Sequence, residues 1–139
     1  MQNCPPAAAA APADHAPSDF DPDVLASLPM VADGSMPGFA LEMLAMFEST
    51  SRQTLWAIDT ALAAGDRVTL LRHLHSLKSS CAQIGALALS ALAGRYEHRL
   101  RSGDDPQADW RSALHAVHAR ALAAAQAARS AFAPPQGTP

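Results

Sequence analysis

The chain has 139 residues, of which 49% are hydrophobic and 17% are charged, and its formal net charge is −3. This length is typical of one small domain with its own hydrophobic core. The charge is uneven, because residues 1–36 carry five acidic residues and no Lys or Arg, whereas residues 37–139 carry ten basic and eight acidic residues. A net charge of only +2 in the second part, with few aromatic side chains, argues against a nucleic-acid-binding protein.

The cysteine content and the hydropathy pattern indicate the cellular compartment in which the protein resides. Cys4 and Cys81 are too few for a disulfide framework, and we expect Cys81 to be a small buried hydrophobic residue. Free thiols suit a reducing compartment. No apolar run approaches the ~18 residues that span a bilayer, and the N-terminus lacks the basic flank of a signal peptide. The sequence therefore predicts a cytoplasmic protein without membrane contact.

The two ends of the chain differ in composition from the middle. Residues 1–18 are rich in Ala and Pro, so they resist helix formation and offer little apolar bulk to bury. We predict a disordered tail or linker there and a second disordered tail over residues 133–139. Residues 19–132 are predicted to form the folded domain.

A short helix is predicted at the start of this domain, over residues 19–31. Asp21 is a suitable N-cap, and Pro22 suits the first helical position. We expect Pro29 to end this helix early.

Four longer amphipathic helices follow, and each repeats apolar residues at spacings of three and four. Their approximate ranges are 37–65, 66–84, 86–102 and 107–131. Gly65 and Gly85 are suitable helix ends, and Asp66 can cap the second helix. Because the connections are short, neighbouring helices run antiparallel. The predicted fold class is all-α, an antiparallel up-down-up-down four-helix bundle with a short N-terminal helix, and a complete core of this kind predicts a monomer.

The second long helix contains the residues on which a functional interpretation depends. Its apolar spacing predicts one buried stripe, formed by Leu70, Leu74, Leu77, Cys81 and Ile84. A second row follows the flank of this stripe and consists of Leu71, His75, Lys78, Ser79 and Ala82. We therefore expect the His75 side chain to lie beside the core and to be approachable from outside.

The residues next to His75 on the helix determine which chemistry its imidazole could take part in. Lys78, three residues later, is the only lysine of the chain, so a compact ammonium charge lies one turn from the imidazole. His73 points about 200° round the helix from His75, so the two rings cannot act as a pair. Exposed His and Lys are common on helices, and an incidental pair on a solvated face is the alternative interpretation.

Other polar residues give weaker signals. His115 and His118 have the spacing of a metal half-site, but a di-iron bundle needs Glu-x-x-His pairs on facing helices, which the sequence lacks, so no metal site is predicted. Ser79 lies beside a histidine, yet no nucleophile elbow accompanies it, which argues against a hydrolase. Glu97 and His98 are predicted to be surface residues.

The fourth long helix has a predicted buried stripe of its own. Its members are Trp110, Leu114, Val117, Ala121, Ala124 and Ala128.

The second long helix also resembles the signature of histidine-containing phosphotransfer (HPt) domains, which reads His-x-Leu-Lys-Gly-Ser followed by an aliphatic residue and Gly-Ala. The matching segment is His75-x-Leu77-Lys78-Ser79-Ser80-x-x-x-Ile84-Gly85-Ala86. The similarity extends to Phe47, Leu55, Ala61, Leu62 and Ala64-Gly65-Asp66 before it, and to Tyr96-Glu97-x-x-Leu100-Arg101-x-Gly103-Asp104 after it. Roughly residues 20–132 are covered. Ser79 departs from the family pattern, which usually has glycine.

This resemblance implies a function, a set of partners and roles for five residues. His75 would be the phosphorylated residue and Lys78 its electrostatic support, while Leu71, Ser79 and Ala82 would contact the docking partner. The chain would be a phosphorelay intermediate without kinase activity of its own. His75 would accept a phosphoryl group from an aspartyl-phosphate receiver domain, in a hybrid sensor kinase or a response regulator, and pass it to another receiver.

No cofactor is expected on this chain, because Mg²⁺ would be bound by the receiver. The alternative function is a helical docking or dimerisation scaffold in which His75 is incidental.

Overall fold

The computed structural model describes residues 16–133, which contain six helices and no strand. The helices are α1 (Pro22–Ala26), α2 (Pro29–Ala32), α3 (Phe39–Ala64), α4 (Arg67–Ile84), α5 (Leu87–Arg101) and α6 (Trp110–Phe132). Most of each predicted disordered tail, positions 1–15 and 134–139, lies outside the described residues. None of the helices within 16–133 is long and apolar enough to cross a bilayer.

The four long helices pack in a closed ring. Helix α4 packs between α3 and α5, and α6 closes the ring by contacting both α5 and α3. The turns between α3 and α4 and between α4 and α5 are two residues long, residues 65–66 and 85–86, so consecutive helices run antiparallel. This arrangement confirms the predicted all-α bundle with a short helical segment at its N-terminal end.

Capping residues determine where several helices begin. Asp21 caps α1 by accepting a hydrogen bond from the Asp23 N–H at 3.0 Å, and Asp66 caps α4 by accepting one from the Thr69 N–H at 3.1 Å. Both caps were predicted. The prediction of a single short helix over residues 19–31 was not correct in detail. Helix α1 ends at Ala26, and Pro29 begins a second short helix. Proline suits that position, since a first-turn N–H has no partner within the helix.

The core contains the apolar stripe of α4 as predicted. Its buried members are Leu70, Leu74, Leu77, Cys81 and Ile84. Cys81 is fully buried, and burial raises the pKa of its thiol to about 12. This thiol is therefore an inert packing group.

The stripe predicted for α6 is confirmed at Trp110, Leu114 and Ala121, whereas its other members are only partly buried against the core. The buried residues of α6 are Trp110, Leu114, His118, Ala121 and Ala125. Val117 and Ala124 are only half-buried. His118 can be buried because its Nε2 lies 2.8 Å from the Ser51 hydroxyl of α3. Burial, followed by the charges of Arg52 and His115, lowers the pKa of His118, so its imidazole is neutral near pH 7.

The N-terminal segment fastens the turn between α4 and α5. The Asp21 N–H donates to the Gly85 carbonyl at 2.8 Å, and the Ala88 N–H donates to the Ser18 carbonyl at 2.8 Å. Leu25 of α1 is fully buried. Gly85 has φ +106°, and a Cβ at this position would overlap the Asp21 carbonyl oxygen. Only glycine fits this turn without displacing the backbone.

We predict that Gly85→Ala lowers the free energy of unfolding by roughly 3 kcal/mol, because left-handed backbone strain adds to the backbone overlap. Gly65→Ala is the matched control, since Gly65 has φ +67° and nothing lies within 4 Å of a Cβ built there. We expect the control to lose only about 1 kcal/mol. Urea denaturation of both variants measures the difference, and equal losses would contradict the role given to the Asp21 carbonyl.

Candidate functional site

The predicted flank of α4 lies beside α5 and is open to solvent. The His75 side chain is 56% exposed, and that of Lys78 is 40% exposed. Leu71 and Ser79 are half-buried, and Ala82 is exposed. The flank therefore presents its imidazole where another protein can approach it.

Glu97 of α5 lies beneath this flank and is buried, with only 4% of the residue exposed. The prediction that Glu97 is a surface residue was wrong. The Glu97 Oε2 lies 2.8 Å from the His75 Nδ1, and the Glu97 Oε1 lies 2.7 Å from the Lys78 Nζ. Arg101 donates to Oε2 from Nη2 at 2.9 Å and from Nε at 3.2 Å.

A signal for this burial is present in the sequence. Glu97 is the only acidic residue between positions 67 and 103, a stretch that contains six Lys and Arg residues. Buried carboxylates need cationic or N–H donors. Apolar periodicity alone assigns such a residue to the surface, because the spacing within one helix contains no information about a hydrogen-bond donor on another helix.

The carboxyl of Glu97 is ionised at neutral pH. Burial raises its pKa, but the hydrogen bonds from its three neighbours outweigh burial, and the pKa is about 2 in place of the ordinary 4.5. A carboxylate only accepts hydrogen bonds, so the His75 nitrogen that faces it is Nδ1–H. The neutral ring then has its free lone pair on Nε2.

Two contacts hold α4 and α5 in this arrangement. The Ser90 hydroxyl of α5 donates to the Lys78 carbonyl at 2.8 Å. Tyr96, next to Glu97, stacks on Trp110 of α6 with ring centroids 4.1 Å apart and planes 7° apart. Neighbours on both sides therefore position the helix that carries Glu97.

The other candidate residues are not assembled with His75. His73 is half-buried, and His98 is exposed, as predicted. His115 Nε2 lies 2.8 Å from the Asp59 Oδ2, whereas His118 contacts Ser51. The two histidines of the weighed metal half-site thus have different partners, and no group of three or more His, Cys, Asp or Glu within residues 16–133 has a geometry that could hold a metal ion.

Comparison with known proteins gives one finding on the family. A model of the Hpt domain matches residues 42–129, which include both His75 and Glu97. A search of curated proteins and a search of solved structures each gave no match. The family match covers more than half of the chain, and its residues form the helical bundle described above. This chain therefore belongs to the Hpt domain family, whose members carry out histidine phosphotransfer in two-component signalling.

Proposed function

We propose that His75 is the phosphorylated residue, that it accepts a phosphoryl group from an aspartyl-phosphate receiver domain, and that it passes the group to a second receiver. The observation that carries this proposal is the exposed imidazole whose Nδ1 is bonded to the buried Glu97 carboxylate. Hpt domains interact with receiver domains or response regulators. Helix α4 contains two histidines, His73 and His75. The His75 side chain is both exposed and bonded to the ionised Glu97 carboxylate, whereas His73 is half-buried.

The reaction needs little from this chain beyond positioning and charge. The Nε2 lone pair of His75 attacks phosphorus, the P–O bond to the receiver aspartate breaks, and the aspartate carboxylate leaves with the electron pair. Nδ1 keeps its proton, so the phosphorylated ring carries a positive charge. The Glu97 carboxylate lies 2.8 Å from that nitrogen and offsets the charge.

Lys78 supplies a cation of α4 that shares the Glu97 carboxylate with His75. Its Nζ is bonded to the Glu97 Oε1 at 2.7 Å, yet 40% of its side chain is exposed. We infer that Lys78 both neutralises Glu97 and offsets charge on the phosphoryl oxygens. Mg²⁺ and the carboxylates that bind it would belong to the receiver.

A receiver would dock over the exposed face of α4. Leu71, Ser79 and Ala82 surround His75 on this face and are small or apolar. Val68, one further turn towards the start of α4, is 75% exposed and extends the apolar part of the face. Exposed apolar residues of this kind favour contact with a protein partner.

We predict that His75→Gln abolishes acid-labile phosphorylation and leaves the melting temperature nearly unchanged, because exposed substitutions usually change stability by less than about 0.5 kcal/mol. His73→Gln is the matched control and should keep transfer. Incubation with a radiolabelled phosphorylated receiver measures both variants. Label on His73, or no label on the wild type, would contradict the assignment, and the second result would favour the scaffold alternative.

We predict that Glu97→Gln removes a stabilising contribution present at neutral pH. Because the folded-state pKa of about 2 lies below 4.5, this contribution is complete above about pH 4.5 and is lost as the pH falls towards 2. Because the side chains of His75, Lys78 and Arg101 are partly exposed and solvent screens them, this contribution is on the order of 1 to 3 kcal/mol. Urea denaturation between pH 2 and pH 6 should therefore show a steeper loss for the wild type than for the variant.

Other acidic groups do not affect this comparison. Asp33 and Asp66 also have lowered pKa values, because each accepts hydrogen bonds from a residue in its own turn, but both remain in the two proteins. Parallel pH profiles for wild type and Glu97→Gln would show that the Glu97 carboxylate is not held by its donors.

We predict that the side chain at position 79 controls access to His75. Ser79→Gly should transfer phosphoryl as fast as the wild type or faster, at a cost of roughly 0.5 kcal/mol in helix stability. Ser79→Leu should block receiver docking while the bundle stays folded. Transfer rates for the three side chains decide the point, and a leucine variant as fast as wild type would mean that the receiver does not approach over this flank.

A further inference from the structure

Helix α5 has a glycine in its interior, at position 94. Glycine is among the least favourable residues inside a helix, since it has the most backbone entropy to lose. Other positions of the same helix are occupied by alanine, including Ala88, Ala91 and Ala93. Gly94 has no left-handed backbone that would call for glycine. Its presence therefore needs an explanation from its surroundings.

The surroundings of Gly94 contain the side chain of Lys78. A Cβ placed on Gly94 would lie 3.0 Å from the Lys78 Cδ and 3.6 Å from the Lys78 Cγ. The first distance is shorter than an ordinary carbon–carbon contact of about 3.5–4.0 Å. The hydrocarbon stem of Lys78 thus lies so close that an alanine methyl group at position 94 would crowd it.

This route of the stem determines where the ammonium group lies. Side chains of a helix lean towards its N-terminus, so Lys78 points along α4 towards the level of His75. Glu97 lies one turn beyond Gly94 on the antiparallel helix, and the Lys78 Nζ meets its Oε1 at 2.7 Å. The Ser90 hydroxyl holds the Lys78 carbonyl at 2.8 Å. Lys78 is therefore fixed at its backbone and at its ammonium group, with Gly94 beneath the middle of the stem.

We propose that Gly94 is a positioning residue for the phosphotransfer site, because the absence of its side chain lets Lys78 cross α5 and reach Glu97. The consequence for the transfer rate rests on the proposed function of His75. The consequence for the Lys78–Glu97 contact does not, because it concerns the unphosphorylated protein alone.

The space next to this contact decides what an added methyl group would do. A cavity of about 180 Å³ lies beside Gly94 and is lined by Lys78, Glu97, His98 and Arg101. It is open to solvent, so the stem of Lys78 can move outward without disturbing the core. We therefore expect a methyl group at position 94 to leave the bundle folded and to displace the Lys78 stem by a few tenths of an ångström, which weakens the contact between the ammonium group and Glu97.

The experiment is a double-mutant cycle of wild type, Gly94→Ala, Lys78→Ala and the double variant. In the unphosphorylated protein, carbon-13 NMR of the Glu97 carboxyl should show a pKa above the wild-type value of about 2 in Gly94→Ala, because a donor is lost. Phosphoryl transfer from a labelled receiver should slow by roughly tenfold, since a misplacement of about 1 Å at a reacting site can cost roughly a hundredfold and the displacement expected here is smaller. In the Lys78→Ala background, Gly94→Ala should change neither quantity further.

Gly38→Ala is the matched control. Gly38 is the N-cap of α3 and has an ordinary right-handed backbone, and a Cβ there would meet only the Glu42 Oε2 at 3.8 Å. Both the Glu97 pKa and the transfer rate should stay at wild-type values in this variant.

Two results would overturn the inference. One is a Gly94→Ala protein with a wild-type Glu97 pKa and a wild-type transfer rate, since Lys78 then reaches Glu97 by another route. The other is the same loss in the Lys78→Ala background, since Gly94 then acts on something other than Lys78. If wild type accepts no phosphoryl group but the Glu97 pKa responds as expected, the proposed function fails and the role of Gly94 stands.

Discussion

A buried carboxylate needs hydrogen-bond donors, and in this protein that need sets how α4 and α5 pack against each other. Glu97 lies on α5, and two of the side chains that bond to it, His75 and Lys78, come from α4. Arg101 of its own helix completes the set. Removing all of these donors together would leave an uncompensated buried charge, which is strongly destabilising. The helices therefore cannot slide or rotate independently, and the same contacts that hold them together orient the His75 ring.

Hydrogen bonds also hold both ends of the α4–α5 pair, so the site lies between two fixed ends. At one end, the backbone of Asp21 is bonded to the Gly85 turn. At the other end, the Arg67 Nη2 donates to the carbonyls of Leu100 at 2.9 Å and Asp104 at 2.6 Å. Gly85, which matches the glycine of the family signature, thus has a structural role. His75, near the centre of α4, takes no part in these end contacts.

Hydropathy periodicity predicted the helices, the stripe of α4 and the exposed flank that carries His75. It could not predict which polar side chains are buried, because two buried polar groups satisfy each other across helices and leave no apolar pattern. Apolar spacing places Glu97 at the surface because two of its donors, His75 and Lys78, lie on another helix. For the same reason the predicted α6 stripe includes Val117 and omits His118, whose partner Ser51 lies 67 residues away. Such pairs become visible only when the packing of the helices is known.

A phosphoryl carrier has to give up its group as readily as it accepts it, and the position of Glu97 bears on that requirement. The Nδ1–H of His75 faces a carboxylate whose pKa is about 2, so the carboxylate does not take the proton near neutral pH. On the proposed function, that proton stays on Nδ1 both before and after phosphorylation, and no proton has to be exchanged with solvent at this nitrogen during transfer. Forward and reverse transfer then use one arrangement of the ring, and the direction of flow depends on the phosphorylation state of the receivers that dock on the exposed face of α4.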